Sequence, residues 1–203
     1  MKLYFAPGAC SLAPHIALNE QGIAAETIRV DLATHKLADG TDYRTINPKG
    51  YVPMLELDDG TRLTEAAVIL QYIADRKPGT LAPVFGTLER WKLMEWLNFI
   101  ATEIHKGYGP LWHHPSPEVR EQTVANLHKR YAIAEAQFAK TPFLTGSAFT
   151  IADAYLYTIT TWSGYLKVDL AAYPNVAAYM KRISERPAVV ATLADERKAK
   201  HPA

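Results

Sequence analysis

The sequence predicts two joined parts: an α+β N-terminal half in the order β-α-β-α-β-β-α, followed by an all-α helical bundle. Three observations carry this. Up to residue 76, short strand-like runs alternate with short helical ones, whereas after residue 87 only long helical periods remain. Between them, Lys77-Pro78-Gly79-Thr80-Leu81-Ala82-Pro83-Val84-Phe85-Gly86 sets two prolines and two glycines in ten residues, which disfavours helix and strand alike. The expected division is therefore 1–78, a linker at 79–86, and 87–203.

The elements follow in order. Residues 2–5 read as a strand and 11–21 as a helix, with Ser11 as N-cap, Pro14 in the first turn and Gly22 as the stop. Residues 26–31 alternate, so that Ile28 and Val30 face a core while Arg29 and Asp31 face away. A polar stretch over 34–45, read as partly helical, ends in the turn Asn47-Pro48-Lys49-Gly50. Runs at 54–57 and 61–64 flank Asp58-Asp59-Gly60, a strong hairpin signal. From Glu65 to Arg76 the pairs Val68/Tyr72 and Ile69/Ile73 recur four apart, as on a helix. A small mixed sheet follows, with parallel crossovers for the first strands and an antiparallel hairpin at its edge.

The second half opens with a helix of about 20 residues, in which Leu88, Trp91, Met94, Leu97, Ile100 and Ile104 form one apolar stripe. Asn98 and His105, seven apart, fall within ~20° of each other around an α-helical axis and share a neighbouring face. Further helices are expected at 118–138, 151–165 and 175–185.

The 203 residues carry 22 Lys+Arg against 21 Asp+Glu, so there is no basic excess for a nucleic-acid backbone. No apolar window reaches the length of a membrane span, and the N-terminus lacks a secretory apolar run. Cys10 is the single cysteine and gives no support to a disulfide-stapled exported protein, so a cytoplasmic location is expected. No metal is assigned: His113 and His114 are adjacent, and their imidazoles diverge on a helix.

Several residues invite chemistry. Cys10 falls between a strand and a helix start, where backbone N–H groups favour a thiolate; the alternative is a small buried hydrophobe. Cys10-Ser11-Leu12-Ala13 lacks a second cysteine, so a redox cycle needs an external thiol. Val52-Pro53 precedes a strand; a cis bond there leaves the Val52 N–H and C=O free to pair with an extended peptide, while a trans bond makes Pro53 a plain strand entry. Glu65-Ala66 opens a helix, so the Ala66 N–H suits a carboxylate and the Glu65 side chain an ammonium; Glu65 also complements the helix dipole. His105-Lys106 near a helix end has the same dipole explanation, and Thr150-Ile151-Ala152-Asp153 reads as a structural capping box.

Taken together, Lys2-Leu3-Tyr4-Phe5, Pro7-Gly8-Ala9-Cys10-Ser11, Asn47-Pro48-Lys49-Gly50-Tyr51-Val52-Pro53, Leu63-Thr64-Glu65-Ala66 and Phe149-Thr150-Ile151-Ala152-Asp153-Ala154 resemble the bacterial beta class of glutathione S-transferases across essentially the whole chain. The resemblance implies the cytosolic glutathione transferase fold: a thioredoxin-like N-terminal domain that binds glutathione, an all-α C-terminal helical bundle that walls the site for a hydrophobic electrophile, and a homodimer. It implies catalytic roles for Cys10, Ser11 and His105. Glutathione, as co-substrate, would meet Cys10 at its sulfur, Val52 beside a cis Pro53 at its cysteinyl backbone, and Glu65 and Ala66 at its γ-glutamyl end. Asn98, His105 and Lys106 would reach it from the long helix. The glycyl carboxylate falls to Lys36 or His35; Lys36 is chosen because a cation opposite a carboxylate is the simpler pairing. Family members often have serine where this chain has Ala66, which removes a hydroxyl contact.

The implied reaction is attack of glutathione thiolate on a soft electrophilic carbon, a detoxifying conjugation. A thiol of pKa ~8.5 is only a few per cent ionised at pH 7, so lowering it by ~2 units raises the nucleophile more than tenfold. The helix start and His105 are the expected contributors, with the Tyr4 hydroxyl as a rival activator. Two other readings remain: glutathione-dependent thiol–disulfide exchange through Cys10, and a non-catalytic binder whose pocket is lined by Tyr108, Trp112, Trp162 and Tyr165.

Overall fold

The computed structural model describes residues 1–200; the last three residues of the predicted second half lie outside the described residues. Strand β1 (Lys2–Phe5) forms where expected. Its two-residue period sends Leu3 and Phe5 to the face packed by helices and Tyr4 to the opposite face. Helix α1 (Leu12–Gln21) ends at Gly22, which adopts φ 60° as a left-handed stop. Ser11 sits in the N-cap position but does not cap: its hydroxyl accepts from the Ala6 N–H at 3.1 Å and donates to the Ala6 C=O at 3.2 Å. Strand β2 (Glu26–Arg29) runs parallel to β1 at the sheet edge, with Ile28 half-buried and Val30 buried, as the alternation requires.

The stretch over 34–45 is not an α-helix. Its regular structure is one 3-10 turn, Tyr43–Thr45. Aspartates in and just before this segment account for the difference: Asp31 accepts the Ala33 and Thr34 N–H groups, Asp39 that of Thr41, and Asp42 that of Arg44. Such short-range bonds compete with a helical ladder. Without a second crossover helix, strand β3 (Met54–Glu56) starts at the end of the sheet where β2 stops and runs antiparallel to β1, not parallel as expected. The hairpin to β4 (Arg62–Thr64) forms over Asp58-Asp59-Gly60, with Gly60 at φ 84°. The sheet order is β2-β1-β3-β4. Helix α2 (Ala66–Asp75) buries Ile69 and Ile73, but Val68 remains exposed and Tyr72 half-buried.

The linker is not a free strand. Leu81 and Ala82 are buried, and the Leu81 C=O accepts the Ile151 N–H at 3.0 Å. The expected long helix is three windings: α3 (Leu88–Phe99), a π-helical turn Ile100–His105, and a 3-10 segment Lys106–His113. The apolar stripe is also rotated. Arg90, Leu93, Leu97, Ile100 and Ile104 are buried, whereas Leu88 and Trp91 are exposed and Met94 is half-buried. Asp75 draws Arg90 inward through contacts of 2.8 and 3.0 Å, which turns that face of α3 toward the core.

Helix α4 (Pro117–Phe138) forms as expected. The predicted 151–165 helix breaks at Thr161 into α5 (Ile151–Thr160) and α6 (Trp162–Tyr165). Helix α7 (Pro174–Ser184) is followed by α8 (Pro187–Lys200), an element beyond those expected from the sequence. α8 docks on α1 through Asn19–Thr192 at 2.7 Å, and Arg186, just ahead of α8, meets Glu20 at 2.6 Å. One apolar core runs from β1, α1 and α2 through α5, every residue of which is buried. No helix among the described residues is long and apolar enough to cross a membrane.

Candidate active site

The β1–α1 loop carries Cys10 two residues ahead of the first helical residue. Its thiol donates to the Val52 C=O at 3.1 Å. Burial pushes the Cys10 thiol up to about 12, although its own backbone N–H, that of Ser11 and the Lys106 charge pull the other way. This reverses the expected thiolate. The helix begins beyond the sulfur, and a carbonyl oxygen at hydrogen-bond distance holds a thiol but repels an anion. Ser11 has no donor to spare, because its single hydroxyl proton is given to Ala6.

The Val52–Pro53 bond is cis. The Val52 C=O, expected to be free, already receives Cys10, while the Val52 N–H has no hydrogen-bond partner among the described residues. The preceding Tyr51 C=O is held by Asn47 Nδ2 at 2.8 Å and by the Tyr43 hydroxyl at 3.0 Å. That anchoring fixes the segment on which Val52 is presented.

Glu65 stands at the N-cap position of α2 with φ 70°, a left-handed conformation that costs a non-glycine residue on the order of 1–3 kcal/mol. Its C=O starts the helix by accepting from Val68 and Ile69. The Ala66 N–H precedes the first intrahelical bonds, and the Glu65 carboxylate, exposed, meets Lys49 Nζ at 2.8 Å. Lys36 is exposed and, among the described residues, makes only backbone bridges, to Asp31 and Asp42. Its neighbour His35, at φ 55°, is half-buried against Gly50, and its Nδ1 has no hydrogen-bond partner among the described residues.

His105 lies edge-on to both Tyr155 and Trp162, with ring centroids 5.8 and 5.1 Å away. Its Nδ1 is 2.7 Å from the Tyr155 hydroxyl. Burial first, and the Lys106 charge second, lower the imidazole to about 4, so it is neutral near pH 7 and contributes no positive charge to a thiolate. The charges of Glu65 and Lys106 both act on Cys10 and on His105, which places these groups in one electrostatic neighbourhood. On uniform α-helical winding, Asn98 and His105 are expected to share a face. The Asn98 side chain is exposed, and the wider π turn that begins at Ile100 breaks the seven-residue alignment.

Three contacts that no sequence signal marked complete the site. Trp162 Nε1 donates to the Gly8 C=O at 2.9 Å. Glu196, buried on α8, accepts the Gly8 N–H at 2.8 Å with one oxygen and meets His15 Nδ1 at 3.2 Å with the other. These partners lie 154 and 188 residues from Gly8, beyond any local pattern. Of the aromatics expected to line a pocket, Tyr108 is a core residue bonded to Tyr131 at 2.9 Å. Trp112 and Tyr165 stack at 5.5 Å, with Tyr165 77% exposed. Trp112 and Trp162 meet edge-on, so an aromatic wall flanks the loop that Trp162 holds. Tyr4 lies on the sheet face away from α1, against Tyr43 and in the same apolar cluster as Val52.

The capping box forms, with Thr150 N and Oγ1 on Asp153 Oδ2 at 2.8 and 2.9 Å. A groove of about 520 Å³ between α3 and α4, lined by Trp96, Phe99 and Ile133, includes none of the residues named for glutathione.

Family models named "Glutathione S-transferase, N-terminal domain" and "Glutathione S-transferase, C-terminal domain" match residues 8–76 and 99–187. Glutathione S-transferase GstA of Escherichia coli O157:H7 is 46% identical over 199 residues, covering 97% of this chain and 98% of that protein. Among solved structures, a sphingomonad glutathione S-transferase complexed with glutathione is 43% identical, with TM-score 0.92 and coverage of 97% and 99%. A bacterial beta-class glutathione S-transferase of Sphingomonas chungbukensis is 44% identical, with TM-score 0.92 and coverage of 97% and 98%.

Proposed function

The chain belongs to the glutathione S-transferase family and is a glutathione transferase of the beta class, and from that premise we propose that it conjugates reduced glutathione to soft hydrophobic electrophiles at the site around Cys10. The observation that carries this is the juxtaposition of the Cys10 thiol with Val52 at 3.1 Å, next to an unpartnered Val52 N–H and a helix start at Ala66. An extended tripeptide with a carboxylate at each end fits that arrangement.

In this reading Val52 pairs with the cysteinyl unit through its N–H and the second lone pair of its C=O. Glu65 takes the γ-glutamyl ammonium in competition with Lys49, and the Ala66 N–H takes the adjacent carboxylate. Lys36 meets the glycyl carboxylate, and Asn98 and Lys106 complete the binding set. Ser11 acts by tying Cys10's loop to Ala6. The glutathione thiol gives its proton to solvent. Its anion is stabilised by an N–H of His105, by the nearby charge of Lys106, and by the Cys10 S–H once that proton turns from the Val52 C=O to the incoming sulfur. A sulfur lone pair then forms the C–S bond, and the leaving group departs with the electrons of the bond it breaks.

A Cys10 thiol raised to about 12 is a poor attacking group for disulfide exchange, which favours conjugation. Residues 1–78 form the glutathione-binding domain, 79–86 the linker and 87–203 the electrophile wall, in a cytoplasmic homodimer. Retention on glutathione resin with turnover of an aryl halide is the expected result. Retention without turnover favours a binding protein, and no retention sinks both.

A further inference from the structure

His105's usefulness to a glutathione sulfur depends on where one proton sits. A neutral imidazole carries a single N–H, on either nitrogen, and the bond made by the other nitrogen decides which. Nδ1 faces the Tyr155 hydroxyl at 2.7 Å. Were Nδ1 protonated, it would donate to Tyr155 Oη, and the phenolic hydrogen would need another acceptor. Among the described residues Tyr155 has no other hydrogen-bond partner, and its side chain is buried. With the phenol donating instead, both groups are satisfied and the imidazole proton resides on Nε2. Among the described residues that nitrogen makes no hydrogen bond, and it is not buried, so it is reachable from solvent. The edge-on contacts of Tyr155 and Trp162 fix the ring plane.

We propose that Tyr155 is a positioning residue: its hydroxyl donates to His105 Nδ1, fixes the Nε2–H tautomer, and so aims an N–H donor at the sulfur of bound glutathione. This rests on the functional reading above, but the tautomer is a property of the free protein and is measured separately.

Long-range proton–nitrogen NMR correlation on protein labelled at histidine nitrogen, with His105→Gln used to assign its signals, is expected to show Nε2 protonated and Nδ1 as a hydrogen-bonded acceptor. In Tyr155→Phe that pattern is expected to give way to mixed tautomers. kcat for an aryl halide is expected to fall about tenfold or more while KM for glutathione stays within about twofold. Should Tyr155→Phe not fold, the His105 variants carry the test. Gln places an amide N–H at the reach of Nε2 and is expected to keep a measurable part of kcat, whereas Asn, which reaches only as far as Nδ1, is expected to lose it. A spectrum with Nδ1 protonated in protein that still binds glutathione resin overturns the proposal alone. The expected tautomer with rates unmoved in all variants overturns the positioning role. Loss of resin binding by the unaltered protein sinks the functional reading with it.

Discussion

Glu196 on the last helix accepts a hydrogen bond from the backbone N–H of Gly8 at 2.8 Å, so the far end of the chain holds the loop that presents Cys10. The same carboxylate meets His15 on α1, and Trp162 grips the Gly8 C=O. The peptide units flanking Gly8, exposed and at φ 75°, are thereby clamped from two helices of the second half.

Releasing that clamp is expected to loosen the glutathione site before it unfolds the protein. Glu196→Ala removes the acceptor and leaves His15 buried without its partner, a loss of about 1–3 kcal/mol in urea denaturation. KM for glutathione should rise several-fold, whereas Glu196→Gln, which keeps an acceptor for Gly8, should lie between. Unchanged kinetics in both variants would show that α8 does not govern the loop.

The Cys10 thiol should alkylate slowly at pH 7. Burial raises its pKa to about 12, so the rate with iodoacetamide is expected to climb beyond pH 9 without levelling off. A plateau near neutral pH would reveal a thiolate. Cys10→Ala should abolish glutathione-dependent disulfide exchange yet retain part of aryl-halide conjugation.

Asp153 should give stability a slope in mild acid. Burial raises its carboxyl to about 6, above the ordinary 3.8, so between those values the folded state holds a proton that the unfolded state has released. Stability contributed by this group is therefore gained as pH falls through 6 toward 4 and lost as pH rises again, by roughly 2–3 kcal/mol. Denaturation at several pH values should show Asp153→Asn falling further behind the parent as pH drops. A pH-independent gap would contradict the raised carboxyl.

The buried Arg90 should depend on Asp75. Asp75→Ala strands a guanidinium that is 1% exposed and already has an unpartnered Nε, a loss of about 3–5 kcal/mol. Adding Arg90→Met in the same chain should recover most of that loss in urea denaturation. Additive losses would mean the two side chains are not coupled.

Local chemistry was legible where neighbouring residues decide the outcome. The Asp58-Asp59-Gly60 turn fixed the hairpin, Gly22 the end of α1, and Thr150 with Asp153 the start of α5. The Cys10 loop, Val52–Pro53 and Glu65–Ala66 could be marked because strand ends and helix starts leave backbone groups open. The 34–45 stretch forms one 3-10 turn and no α-helix because Asp31, Asp39 and Asp42 bond to nearby backbone N–H groups, which a polar composition alone does not reveal. A shared face for Asn98 and His105 requires one winding throughout, which the π turn after Phe99 does not keep.

By itself the sequence determined the two-part order of elements, the family resemblance and the loops on which polar groups are offered. Tertiary structure alone decided that Cys10 is a thiol facing a carbonyl, that His105 is neutral, and that Glu196 and Trp162 close on Gly8. Protonation and hydrogen-bond partners depend on burial and on atoms brought together from opposite ends of the chain, and neither has a signature within a turn or two of helix.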